Sequence, residues 1–75
     1  MPKAFIEKLY GEVNGINQTF ETAKNFIPGS VKVFVNGLVL EASMDDGWVE
    51  LGVNRVRMKI APIPGDVLQA YFMTV

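Results

Sequence analysis

The sequence predicts an all-β chain, a small antiparallel β-sandwich or barrel of about six strands built from hairpins. Three observations carry this. Turn signals recur at short intervals: Asn14-Gly15, Pro28-Gly29, Asn36-Gly37, Asp46-Gly47, Gly52-Val53-Asn54 and Pro62 to Gly65. The runs between them are rich in Val, Phe, Ile and Tyr and too short for stable helices. Several of those runs alternate apolar with polar side chains, the period of a strand with one face covered.

The first third is the least patterned. Residues 1–13 read as an N-terminal arm or strand, and residues 14–75 as a single β-sandwich domain. Phe5, Ile6, Leu9, Tyr10 and Val13 also fit helical i, i+3 and i+4 spacing. Gly11 and Gly15 limit such a helix to about two turns, which is marginal alone, so the extended reading is favoured. Gln18 to Ala23 alternates around Phe20 and reads as a strand.

The clearest element is Val31 to Glu41. Asn36-Gly37 predicts a two-residue type I′ loop, because both residues tolerate positive φ. That loop sets a register pairing Val35 with Leu38, Val33 with Leu40 and Val31 with Ala42, all on one apolar face. Lys32, Phe34, Val39 and Glu41 occupy the other, mixed face.

Gly47 to Leu51 and Arg55 to Ile60 read as a second hairpin around Gly52-Val53-Asn54. Arg55, Arg57 and Lys59 point one way, and Val56, Met58 and Ile60 the other. Val49 and Leu51 are assigned to the core, which leaves Trp48 and Glu50 opposite. The last strand spans Val67 to Val75. Leu68, Ala70 and Phe72 alternate with Gln69, Tyr71 and Met73, so both faces are largely apolar. Such a strand is central in its sheet or covered by a neighbouring subunit.

Composition narrows function. The chain has 75 residues, 49% hydrophobic and 20% charged, which suits one folded domain and not a disordered chain. No apolar run approaches a membrane span, and no signal peptide is visible. Net charge is −1, against a general nucleic-acid binder; the stripe of Arg55, Arg57 and Lys59 reads as a solvated strand face.

Histidine and cysteine are absent, which removes the commonest general base, thiolate chemistry and the softer metal ligands. Asp45-Asp46 reads as turn chemistry, since its spacing lacks the ligand alternation of a calcium loop. Pro28-Gly29-Ser30 precedes a strand, not a helix, so it is not read as an anion site. We therefore expect no enzyme, no catalytic residues, no cofactor and no metal.

Folded, a chain of this mass exposes about 4,600 Å². In so small a domain apolar burial and the cost of ordering cancel, and no disulfide or metal adds a margin. Contact with other subunits is the expected source of the remaining stability. The candidate interface residues are Phe5, Ile6 and Tyr10 of the N-terminal segment, with Phe34, Trp48, Tyr71 and Met73. Aromatic side chains could instead form a stacking platform, but interface anchors are the favoured reading.

Three segments carry a family resemblance. They are Asn14-Gly15-Ile16-Asn17-Gln18-Thr19-Phe20, then Pro28-Gly29-Ser30-Val31-Lys32-Val33-Phe34-Val35-Asn36-Gly37-Leu38, then Ala61-Pro62 with Pro64-Gly65-Asp66-Val67 and Tyr71. Together they resemble a recurring small β-domain of tailed-bacteriophage virion proteins, found in tail, neck and fibre components. The likeness spans about residues 11 to 72 and departs at Asp45-Asp46-Gly47-Trp48, where one residue is inserted. It implies a minor structural protein of a virion, made in the host cytoplasm, whose partners are copies of itself and other virion proteins. Alternatives are a capsid decoration (cement) protein and a carbohydrate- or receptor-binding fibre module, a glycan being the less favoured partner. Neither a membrane nor a specific nucleic acid is expected as partner. The resemblance transfers no catalytic residues.

Overall fold

The computed structural model describes residues 2–42 and 47–75. The turn read at Asp45-Asp46 lies outside them. The described residues form seven strands and no helix: β1 (Lys3–Lys8), β2 (Thr19–Glu21), β3 (Lys32–Val35), β4 (Leu38–Leu40), β5 (Trp48–Leu51), β6 (Arg55–Met58) and β7 (Leu68–Thr74). They build two antiparallel sheets, ordered β1-β7-β3-β4 and β2-β6-β5. Neither sheet closes on itself. The accessible surface is 4742 Å², close to the value of about 4,600 Å² that its mass calls for.

The inward residues of both sheets meet in one core. Val33, Leu68, Ala70 and Phe72 come from the four-stranded sheet; Phe20, Trp48, Val56 and Met58 come from the three-stranded sheet; Leu9, Phe26 and Val31 fill in from connecting segments. Phe20 and Phe72, the largest fully buried side chains, anchor opposite sides. Each large ring removed from water contributes about 2–3 kcal/mol.

The N-terminal segment is a strand, β1, laid against β7 from Lys3↔Thr74 to Lys8↔Gln69. Its apolar residues do not form a helical stripe. Instead Phe5 turns inward, stacking on Phe72 at 5.8 Å between ring centroids, while Ile6 points out and is 66% exposed. The chain then changes sheet. Tyr10 exchanges backbone bonds with Glu21, N–H to C=O at 2.9 and 2.8 Å, and so stitches β1 to β2. Gly11 makes this corner possible. A Cβ there would lie 2.6 Å from the Phe20 ring, at a φ of +149°.

The Asn36-Gly37 loop has φ values of 53° and 84°, the type I′ signature, and pairs Val35 with Leu38 and Val33 with Leu40. The expected Val31–Ala42 pair lies beyond the ladder, which ends at Val33↔Leu40. Leu38, on the same side as Val35, overhangs the end of the core and is 71% exposed.

The second hairpin corrects the face assignment of β5. The three-residue loop pairs Leu51 with Arg55 and Val49 with Arg57. Directly opposed residues share a face, so outward arginines carry Val49 and Leu51 outward with them. Trp48 and Glu50 turn inward, opposite Met58 and Val56. Trp48 is 6% exposed and donates its indole N–H to the Leu40 carbonyl at 2.8 Å. Ile60, assigned to the core, is exposed because β6 ends at Met58 and the chain leaves the ladder before it.

The polar residues of the resembling segments lock turns together. Asn36 donates its amide to Asp66 at 3.0 Å and accepts from the Val67 N–H at 2.9 Å. Asn14 Oδ1 accepts from the N–H groups of Ile16 and Asn17. Asn17 donates its amide to the carbonyls of Glu12 and Thr19. These side chains hold loops whose backbone groups would otherwise lack partners.

Candidate functional site

Alternation along the four-stranded sheet determines what its outer face carries. Residues opposed across neighbouring strands stand side by side. One row runs Ile6–Tyr71–Lys32, the next runs Lys8–Gln69–Phe34–Val39, and Ala4–Met73 lies at the edge. The centre of this face is apolar. Ile6 and Val39 are 66% and 51% exposed, while Phe34, Tyr71 and Met73 are half-buried among their neighbours. Lys32 lies with its Nζ 5.9 Å from the centroid of the Tyr71 ring, a cation–π contact. Lys8 and Lys32 are its charged residues on β1, β3, β4 and β7, and Glu41, one residue beyond β4, lines the same crevice as Lys32 and Val39.

The outer face of the three-stranded sheet differs. Its rows are Thr19–Arg57–Val49 and Glu21–Arg55–Leu51. Arg55 stands across from Glu21, and Arg57 donates to Gln18 Oε1 at 3.4 Å. Lys59 donates to the Ala42 carbonyl at 2.9 Å. The basic stripe is thus interleaved with its own acceptors.

Of the seven candidate interface residues, Ile6, Phe34, Tyr71 and Met73 converge on the apolar face. Tyr10 is exposed but sits at the corner between the sheets. Phe5 packs against the core under the Lys24 ammonium, 4.4 Å from its ring centroid. Trp48 belongs to the core, so its reading as an exposed platform is corrected. Val39 completes the face and was not among the candidates. The Asn36-Gly37 register contained the signal, since it places Val39 opposite Phe34.

Two crevices accompany the face. One, of about 670 Å³, lies between β4 and β5 and is floored by Val31, Leu40 and Trp48. The other, of about 410 Å³, opens at the end of the core among Leu38, Ile60, Pro62 and Ile63. Among the described residues no cluster of three His, Cys, Asp or Glu side chains could hold a metal ion. The carboxylates there serve the fold: Glu50 accepts from the Gly29 N–H at 3.0 and 3.1 Å, and Asp66 accepts from the Ile63 N–H and from Asn36. Comparison with known protein families, with curated proteins and with solved structures gives no match in any of the three.

Proposed function

We propose that this chain is a minor structural protein of a tailed-phage virion: a small β-sandwich that docks through the outer face of its four-stranded sheet. The observation that carries the reading is that face. It carries Ile6 and Val39 exposed, with Phe34, Tyr71 and Met73 half-buried between them, where a solvated sheet would show polar residues. The resemblance to virion β-domains supplies the biological setting, in neck, tail or fibre.

Charge selects the occupant. Stacking two copies face to face would gather Lys8 and Lys32 of each against Glu41 of each, four lysines to two carboxylates, and so leave an excess of positive charge at the seam. Another virion protein, presenting an apolar patch flanked by Asp or Glu, satisfies both features of the face. A glycan platform loses one of its two rings, because the Trp48 indole is inside.

The test is made during infection by the phage that encodes the chain. Gradient-purified particles should contain it at a fixed copy number, and a V39K variant should be depleted from them more than tenfold while still folding. Particles that lack the native chain reject the reading. Immunogold labelling on the shell instead of the tail or neck would replace it with capsid decoration.

A further inference from the structure

We propose that two copies of this chain pair through β1, antiparallel and centred on Ile6, joining their four-stranded sheets into one of eight strands. The inference rests on the backbone of one edge and not on the apolar face.

The Leu9 N–H bonds the Leu68 carbonyl at 3.1 Å. Antiparallel bonding alternates along a strand, so Lys3, Phe5 and Glu7 also bond towards β7. Ala4, Ile6 and Lys8 direct their N–H and C=O groups to the opposite side. Tyr10 follows the same alternation, and there the outward groups are taken by Glu21. Between Lys3 and Leu9 the outward groups have no backbone partner among the described residues. An open strand edge of this kind templates another strand.

The edge complements itself. A two-fold axis at Ile6 pairs Ala4 with Lys8, Ile6 with Ile6 and Lys8 with Ala4, each pair exchanging two backbone bonds. No like charges stand opposite one another in this register. Shifting it to centre on Glu7 would oppose two carboxylates. Pairing also stops where it must, because the next outward position, Tyr10, is already bonded to Glu21.

The inner side of the edge adds a charge contact. Glu7 Oε1 is buried and has no hydrogen-bond partner, while Oε2 takes the Lys24 ammonium at 3.1 Å. In the dimer Glu7 faces Phe5 of the second copy, the ring that carries Lys24. The unused oxygen then lies beside a second ammonium. Outside, the Ile6 side chains, 66% exposed in one copy, cover each other.

Sedimentation of the native chain should show a dimer whose population rises with concentration. Ile6→Pro removes only an outward N–H, which an edge strand tolerates, and should weaken dimerisation at least tenfold with β structure intact. Ile6→Lys gives an independent disruption by opposing two like charges. The chain has no cysteine, so an I6C variant carries one thiol. Paired Cα atoms at about 5.5 Å suit a disulfide, and mild oxidation should give a covalent dimer, while V39C should not. A monomer up to about 1 mM, a dimer indifferent to I6P and I6K, or an I6C chain that fails to cross-link overturns the proposal. V39K should leave the dimer intact, so failure of particle docking and failure of edge pairing are read separately.

Discussion

The two outer faces of this molecule obey the same alternation and reach opposite ends. On the three-stranded sheet the residues that turn away from the core are Thr19, Glu21, Arg55 and Arg57, with Val49 and Leu51 beside them. On the four-stranded sheet they are Ile6, Phe34, Val39, Tyr71 and Met73, with two lysines. Folding requires only the inward half of each pattern. The outward half is free to be polar, and the three-stranded sheet takes that freedom. The other sheet keeps apolar residues there, which is why that face and not the basic stripe carries our functional proposal.

Both faces rest on a common support. Phe72 is fully buried beneath the apolar face and Phe20 beneath the basic one. Phe72→Ala should cost about 3–5 kcal/mol and loosen both sheets together, read by chemical denaturation through the emission of the single tryptophan. Gly11→Ala strikes the corner that joins the sheets. Its Cβ meets the Phe20 ring at 2.6 Å, and overpacking of this kind should cost about 1–3 kcal/mol. Trp48→Phe removes the indole bond to Leu40 across the other side, and about 1 kcal/mol should be lost.

The faces themselves should separate stability from docking. Val39→Lys should change unfolding free energy by no more than about 0.5 kcal/mol yet deplete the chain from particles. Arg57→Gln should move neither quantity beyond that range, since its 3.4 Å contact with Gln18 is exposed to water on a solvated face. If Arg57→Gln depletes the particles and Val39→Lys does not, the two faces have been assigned the wrong way round.

Much of this arrangement is legible in the amino-acid sequence. Asn36-Gly37 fixes a register through φ alone, and the alternation of Arg55 to Met58 identifies an inward and an outward side. The β5 error shows what isolated runs hide. Val49 and Leu51 are more apolar than Trp48 and Glu50, and four residues read alone point to the wrong side. The loop to β6 overrules them, because Leu51 opposes Arg55. The N-terminal segment is a strand, as the favoured reading had it, but its own residues do not decide this. Phe5, Ile6, Leu9 and Tyr10 satisfy helical spacing, and what makes them a strand is β7, whose pairing partners are more than sixty positions away. The interface candidates divide accordingly. Those on β3 and β7 could be placed from alternation, whereas Phe5 and Trp48 needed the partner strand to show that they point inward.

The strand that joins β1 to β3 in the larger sheet, β7, is also the last of the seven to leave the ribosome. Until β7 is made, β1 and β3 have no strand between them, and Phe5, Val33 and Leu9 lack the Leu68, Ala70 and Phe72 part of the shared core. Synthesis of the first six strands therefore yields an unfinished sheet, and closure waits on a loop spanning nearly the whole chain. A stalled nascent chain ending before Val67 should remain open to protease, and release of residues 67–75 should bring protection in a single step.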